Sequence, residues 1–171
     1  MADLSATEFS VVLVVFRVIF GLVFAAHGWG KRKGGIEGTA KWFDSMGMRP
    51  GRVHAHLASL TEIAAGLMLA LGVLTSFAAA GVVGVMVVAG YTTHRKNGFF
   101  IVKGGWEYTF MVALTAVAIA GLGPGDWSID AALGLDETLN GYVGLAIALA
   151  LGVAGGVAQL AAFYRPPAEA A

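Results

Sequence analysis

The sequence predicts an all-α, polytopic membrane helix bundle, and three observations support this fold class. Apolar residues make up 57% of the 171 residues, and charged residues make up only 13%. Several stretches of about twenty residues carry almost no charge, which is the length that a helix needs to cross a bilayer. The lysines and arginines are also clustered in a few short segments. This composition excludes a soluble globular domain.

The first span is predicted at about 9–29, before the cations Lys31, Arg32 and Lys33. The segment ahead of it carries no lysine or arginine and is followed by no convincing cleavage site, so we expect the span to be retained. The loop that follows contains apolar residues at helical spacing, which predicts a short helix lying along the membrane surface. Such a helix could be a simple connector or a binding surface. Its apolar residues are Ile36, Ala40, Phe43 and Met46.

Residues 57–93 contain a single charged residue, Glu62, and are too numerous for one span. We therefore predict two spans, at about 57–74 and 77–93, joined by a turn near 74–76. Each is short but sufficient to cross.

A fourth span is predicted at about 106–122, and Glu107 opens it. An acidic loop without lysine or arginine follows, and then a fifth span at about 142–164. The expected organisation is a four-helix membrane domain over 1–130, with the acidic loop, the fifth span and a short tail over 131–171.

The cations predict the orientation. Of the eleven lysine and arginine residues, six lie in 31–52, three in 95–103 and one at position 165. All of these fall on one side of the predicted spans, which the positive-inside rule assigns to the cytoplasm. We expect a multi-pass protein of the bacterial cytoplasmic membrane, with its N-terminus outside and its C-terminus inside.

Arg17 lies within the first apolar run, where an unpaired charge costs roughly 2.5 to 17 kcal/mol. Arg17 shares one helical stripe with Gly21, Phe24, Gly28 and Lys31, and this stripe should face protein. Small residues allow close helix contact. The glycines predicted to do this are Gly21, Gly28, Gly66, Gly152 and Gly156.

The ionisable residues of the spans form the candidate polar core. If spans 1, 2 and 4 are neighbours, one or both of the carboxylates Glu62 and Glu107 could compensate Arg17 or Lys31. Glu62 should reach Arg17 more readily than Glu107. The members of this predicted core are Arg17, His27, Lys31, Glu62, His94 and Glu107.

Three interpretations of the core compete. It could bind a polar headgroup such as a quinone ring, with a carboxylate moving protons. His27 and His94 could instead ligate haem or a metal, although histidines at span ends are more often interfacial side chains, so haem is disfavoured. The core could also be purely structural. The chain has no cysteine, and His54 and His56 do not share a helix face, so no metal site is predicted.

Four short motifs follow one another along the chain. The first motif is Arg17, Gly21, Phe24, His27, Gly28 and Lys31; the second is Glu62, Gly66, Leu71, Gly72 and Thr75; the third is Glu107; the fourth is Gly123, Pro124, Gly125, Ser128 and Asp130. In this order the motifs resemble the DoxX family of small bacterial membrane proteins. The resemblance covers about residues 9–130, and the fifth span departs from it.

The resemblance implies a four-helix membrane core with links to quinol oxidases, thiosulfate:quinone oxidoreductases and oxidative-stress complexes. We therefore expect a quinone- or lipid-headgroup-binding accessory subunit of a membrane redox system. Arg17 and His27 would contact the headgroup, and Glu62 and Glu107 would balance charge and carry protons. A purely structural or assembly subunit is the main alternative, and a small-solute or proton transporter is the second. The sequence identifies neither a catalytic residue nor a cofactor, although a quinone is compatible. The expected partners are the lipid bilayer and other membrane subunits or further copies of the chain, and not nucleic acid.

Overall fold

Eight α-helices build the part of the chain that the computed structural model describes, residues 5–166. The described residues form no strand apart from an isolated bridge between Met48 and Tyr164. This architecture confirms the predicted all-α class. The helices are α1 (Ala6–Gly30), α2 (Glu37–Ser45), α3 (Gly51–Leu71), α4 (Thr75–Ala89), α5 (Glu107–Leu122), α6 (Ile129–Ala132), α7 (Asp136–Leu139) and α8 (Gly141–Phe163).

Four helical segments of the described chain are long and apolar enough to cross a membrane, which confirms the membrane bundle. A π-helical turn at Gly90–His94 and a 3-10 turn at Arg95–Asn97 extend α4. The apolar helix α5 has 16 residues, or about 24 Å, and is shorter than the roughly 30 Å of a hydrocarbon core. The four long segments are Ala6–Gly30, Gly51–Leu71, Thr75–Asn97 and Gly141–Phe163.

Helix α3 begins and ends earlier than the second span predicted at about 57–74. Helix α3 starts at Gly51 rather than near 57, because Pro50 precedes it and the Asp44 carboxylate accepts a 2.7 Å bond from the Gly51 N–H. It ends at Leu71, because Gly72 adopts a left-handed conformation with φ 65°. The turn is therefore Gly72–Leu74 and not 74–76.

Helix α4 lies at the centre of the bundle and packs against α3, α5 and α8, whereas α1 packs mainly against α3. The main core brings together buried residues of α3, α4, α5 and α8 with Phe24 of α1. The expectation that spans 1, 2 and 4 are neighbours is thus corrected, since α5 packs on α4 and α8.

Helix α2 is an integral part of the fold. It packs along α3, and its Ala40 and Phe43 are buried in a second apolar cluster with Met48, Ala55 and Leu160. The apolar side of α2 is therefore covered by other parts of the protein.

Glycines allow the closest helix contacts. A Cβ atom at Gly28 would lie 2.8 Å from the Glu62 Cβ, and one at Gly66 would lie 2.6 Å from the Ala25 nitrogen. At the α4–α8 contact, a Cβ at Gly152 or Gly156 would lie 2.6 or 2.8 Å from the Cβ of a facing valine. Gly152 and Gly156 therefore lie in the contact between α8 and α4.

Replacing Gly66 with valine should separate α1 from α3 and lower the free energy of unfolding by at least about 1–3 kcal/mol, the usual cost of overpacking. The matched control is Gly155→Val on α8, where an added Cβ has open space within 4 Å. Denaturation in one detergent measures both variants. Equal stability of the two would contradict the close approach of α1 and α3.

Candidate functional site

The buried polar groups occupy two separate places, one at each end of the bundle. The acidic end carries the α5–α8 connection with Asp126, Asp130, Asp136 and Glu137. The basic end carries Lys31 to Lys33 and the 95–103 connection. Arg17 belongs to the first place, and Lys31 with Glu62 belongs to the second.

Arg17 is only 3% exposed, and its guanidinium binds backbone carbonyls. Nη1 donates to the carbonyls of Leu69 at 3.2 Å and Ala70 at 2.7 Å, and Nη2 donates to the Trp127 carbonyl. The first two acceptors are in the last turn of α3, where the helix dipole favours a cation and carbonyls have few backbone donors. The Leu69 carbonyl also accepts from the Gly72 N–H at 3.1 Å. Arg17 therefore caps α3 and fixes the loop that crosses over it.

Asp130 caps the start of α4, as Arg17 caps the end of α3. Its side chain is 1% exposed, and Oδ1 accepts from the Leu74 N–H at 2.7 Å. Oδ2 accepts from the Thr75 N–H at 2.9 Å and from the Thr75 hydroxyl at 2.7 Å. Asp130 also interacts electrostatically with Arg17. The two charges together tie the α3–α4 turn to the loop after α5.

The ion pair at the basic end joins Lys31 and Glu62. The Glu62 side chain is 5% exposed and that of Lys31 is 24% exposed, so the carboxylate is the more deeply enclosed partner. His27 lies close enough to interact electrostatically with Glu62. The Ser59 hydroxyl donates to the Gly28 carbonyl at 2.8 Å and so helps to hold α1 and α3 in this register.

The expected single core around Arg17 is therefore corrected. Arg17 does not pair with Glu62, because its depth in α1 matches the last turn of α3, whereas Glu62 lies more than two turns earlier and matches Lys31. Glu107 lies at the basic end but is not part of the Lys31–Glu62 pair, since its carboxylate accepts from the Ile101 N–H at 2.8 Å within the α4–α5 connection.

A cavity of about 510 Å³ ends among the polar groups of the basic end. Residues of α1 to α5 and α8 line it, and most of them are apolar. Such a cavity suits an amphipathic molecule with a polar headgroup and an apolar remainder. Its polar lining includes His27, Lys31, Thr61, Glu62, Thr93, His94 and Gln159.

His94 has a defined hydrogen-bonding role in this lining. It ends the π-helical turn, a feature that is frequent at functional sites. Its Nδ1 lies 2.7 Å from the Gly104 carbonyl. Because a carbonyl only accepts, Nδ1 carries a proton, and in the neutral ring Nε2 is the acceptor. His94 can thus accept a hydrogen bond from a headgroup.

His54 and Asp130 are polar residues whose importance the sequence did not reveal. His54 is 1% exposed, and its Nδ1 lies 3.0 Å from Nε2 of Gln159 on α8. Nothing in the local spacing of His54 indicates that it is buried. The signal for Asp130 was its place in the last of the four family motifs. The described residues contain no group of three His, Cys, Asp or Glu side chains placed to hold a metal.

Comparison with known proteins identifies a family whose model matches about half of the chain. Residues 12–95 match the family model described as DoxX, a range that holds Arg17, His27, Lys31, Glu62 and His94. An uncharacterized membrane protein of Mycobacterium tuberculosis is 28% identical over 139 residues, which cover 75% of this chain and 85% of that protein. A Bacillus subtilis protein named "Putative oxidoreductase CatD" is 27% identical over 113 residues, which cover 66% of this chain and 80% of that protein. No solved structure matches the chain.

Proposed function

This multi-pass membrane protein belongs to the DoxX family, and from that premise we propose that it binds a quinone or a similar amphipathic headgroup as an accessory subunit of a membrane redox system. The observation that carries the proposal is the apolar cavity that ends at His27, Lys31, Glu62 and His94. The name of the Bacillus subtilis relative, which describes an oxidoreductase, is consistent with a redox setting.

The headgroup would lie at the basic end of the cavity. Lys31 and His27 can donate to a carbonyl oxygen, while His94 Nε2 and the Glu62 carboxylate can accept from a hydroxyl. Both oxidation states of a quinone would therefore find partners. Glu62 is the group best placed to balance charge or exchange a proton there, because it is enclosed but keeps Lys31 and His27 beside it.

Arg17 has a different role in this proposal from the one expected from sequence. The Arg17 guanidinium donates hydrogen bonds to the last turn of α3 and to the Trp127 carbonyl. Arg17 is not among the residues that line the cavity. We assign it to helix capping. The structural alternative for the whole protein is favoured only by this acidic-end network. A transporter has less support, because the charged groups of the cavity lie at one end.

The orientation also remains a proposal. The basic end would face the cytoplasm of a bacterial cell, with the N-terminus outside, because ten of the eleven lysine and arginine residues lie on that side. The headgroup would then bind in the inner leaflet.

The direct test is to extract the protein gently from its native membrane and quantify bound quinone by mass spectrometry, with a visible spectrum to detect haem. We expect quinone in stoichiometric amount. In His94→Phe the retained quinone should fall roughly tenfold, as expected for one lost hydrogen bond to a polar headgroup. The matched control is His56→Phe, since His56 is at the same end but does not line the cavity. Quinone-free wild-type protein, held stoichiometrically in a larger complex, would instead establish the structural alternative.

A further inference from the structure

The connection between α4 and α5 presents apolar side chains outward although its backbone is fully organised. Val102 is 88% exposed, Phe100 61% and Ile101 48%. The Trp106 and Glu107 N–H groups donate to the carbonyls of Gly98 and Phe99 at 3.1 and 2.8 Å and close the loop at its base.

Two side chains fix the position of this loop from inside. The Glu107 carboxylate accepts from the Ile101 N–H at 2.8 Å, and the His94 ring donates to the Gly104 carbonyl at 2.7 Å. Phe99 packs edge-on against Trp106, with ring centroids 4.7 Å apart. The outward direction of Phe100, Ile101 and Val102 is therefore built into the fold, and an apolar medium is needed to cover them.

Helix α5 indicates which medium that is. At 16 residues it is about 6 Å too short for the hydrocarbon core, and residues 99–106 lie folded at its N-terminal end. An apolar loop there supplies the missing hydrophobic length. Lys103 lies directly beside the apolar tip, and Arg95 stacks over the Tyr91 ring at 3.9 Å on the α4 side of the connection. Cations next to an apolar tip match anionic headgroups above acyl chains.

We propose that residues 99–106 form an interfacial membrane anchor at the basic end. Phe100, Ile101 and Val102 enter the acyl boundary of that leaflet, and Lys103 lies among anionic headgroups. The anchor holds the short helix α5 at the correct depth. This role does not depend on quinone binding.

The test uses a spin label at Val102→Cys, since the native chain has no cysteine. The matched control is Glu137→Cys, a charged and exposed position of α7 at the acidic end. In vesicles of phosphatidylcholine and phosphatidylglycerol, the label at 102 should be relaxed more by oxygen, which concentrates in bilayers, than by a water-soluble nickel chelate. The label at 137 should show the reverse.

Charge is tested by repeating the measurement with Lys103→Gln. The oxygen preference at position 102 should increase when phosphatidylglycerol is added to phosphatidylcholine vesicles, and this increase should be lost in Lys103→Gln. A label at 102 as accessible to the nickel chelate as the label at 137 would overturn the anchor. So would a label that is shielded from both reagents in native membranes, because a protein would then cover the loop.

Discussion

Replacing Arg17 with leucine should lower the free energy of unfolding by about 3–5 kcal/mol, the cost of removing one partner from a buried charged network. The substitution removes the side-chain donor of the Ala70 and Trp127 carbonyls, while the Leu69 carbonyl keeps only the Gly72 N–H. It also leaves the buried Asp130 carboxylate without its neighbouring cation. The measurement is denaturation of the purified protein in one detergent. Arg165→Leu is the matched control, since Arg165 is exposed at the other end of the chain and should change stability little.

The partner substitution Asp130→Asn should also destabilise the protein, because an amide offers a single acceptor oxygen where the carboxylate accepts three bonds. The loss in the double variant should be smaller than the sum of the two single losses, since both residues hold the same turn. Strictly additive losses would show that Arg17 and Asp130 act independently.

Sequence patterns predicted the helices well because their cause is local. An apolar run of sufficient length determines a span, and a cation cluster or a glycine marks its end. The predicted spans at about 106–122 and 142–164 correspond to Glu107–Leu122 and Gly141–Phe163. The turn after α3 was misplaced because Thr75 and Ser76 resemble turn residues, yet their hydroxyls donate to Asp130 and to the Leu139 carbonyl.

Pairing of the charged residues could not be predicted in the same way. The sequence shows that Arg17 and Glu62 lie in apolar runs. It does not show which residues of two packed helices lie at the same depth in the membrane. The close contacts at Gly21, Gly28 and Gly66 determine that register, and they bring Lys31 rather than Arg17 to Glu62. Backbone carbonyls are invisible in a sequence pattern, so the true partners of Arg17 could not be found from residue types.

The Lys31–Glu62 pair should respond asymmetrically to substitution. Lys31→Met leaves a carboxylate that is 5% exposed without its cation and should cost about 3–5 kcal/mol. Glu62→Gln should cost only about 1 kcal/mol, because glutamine keeps the shape and the Lys31 ammonium, 24% exposed, can extend toward the lipid headgroups. The double variant should recover most of the loss caused by Lys31→Met alone. Equal single losses that add in the double variant would contradict this account.

This asymmetry selects the variant in which ligand binding can be measured. Because Glu62→Gln should keep the fold, a change in its quinone affinity reports on the carboxylate and not on unfolding. A roughly tenfold loss, with the unfolding free energy reduced by no more than about 1 kcal/mol, would support a role of Glu62 at the headgroup. Unchanged affinity in a stable Glu62→Gln protein would assign the pair to helix packing. The cavity would then have to hold its ligand through His27 and His94, whose rings line it without forming that ion pair.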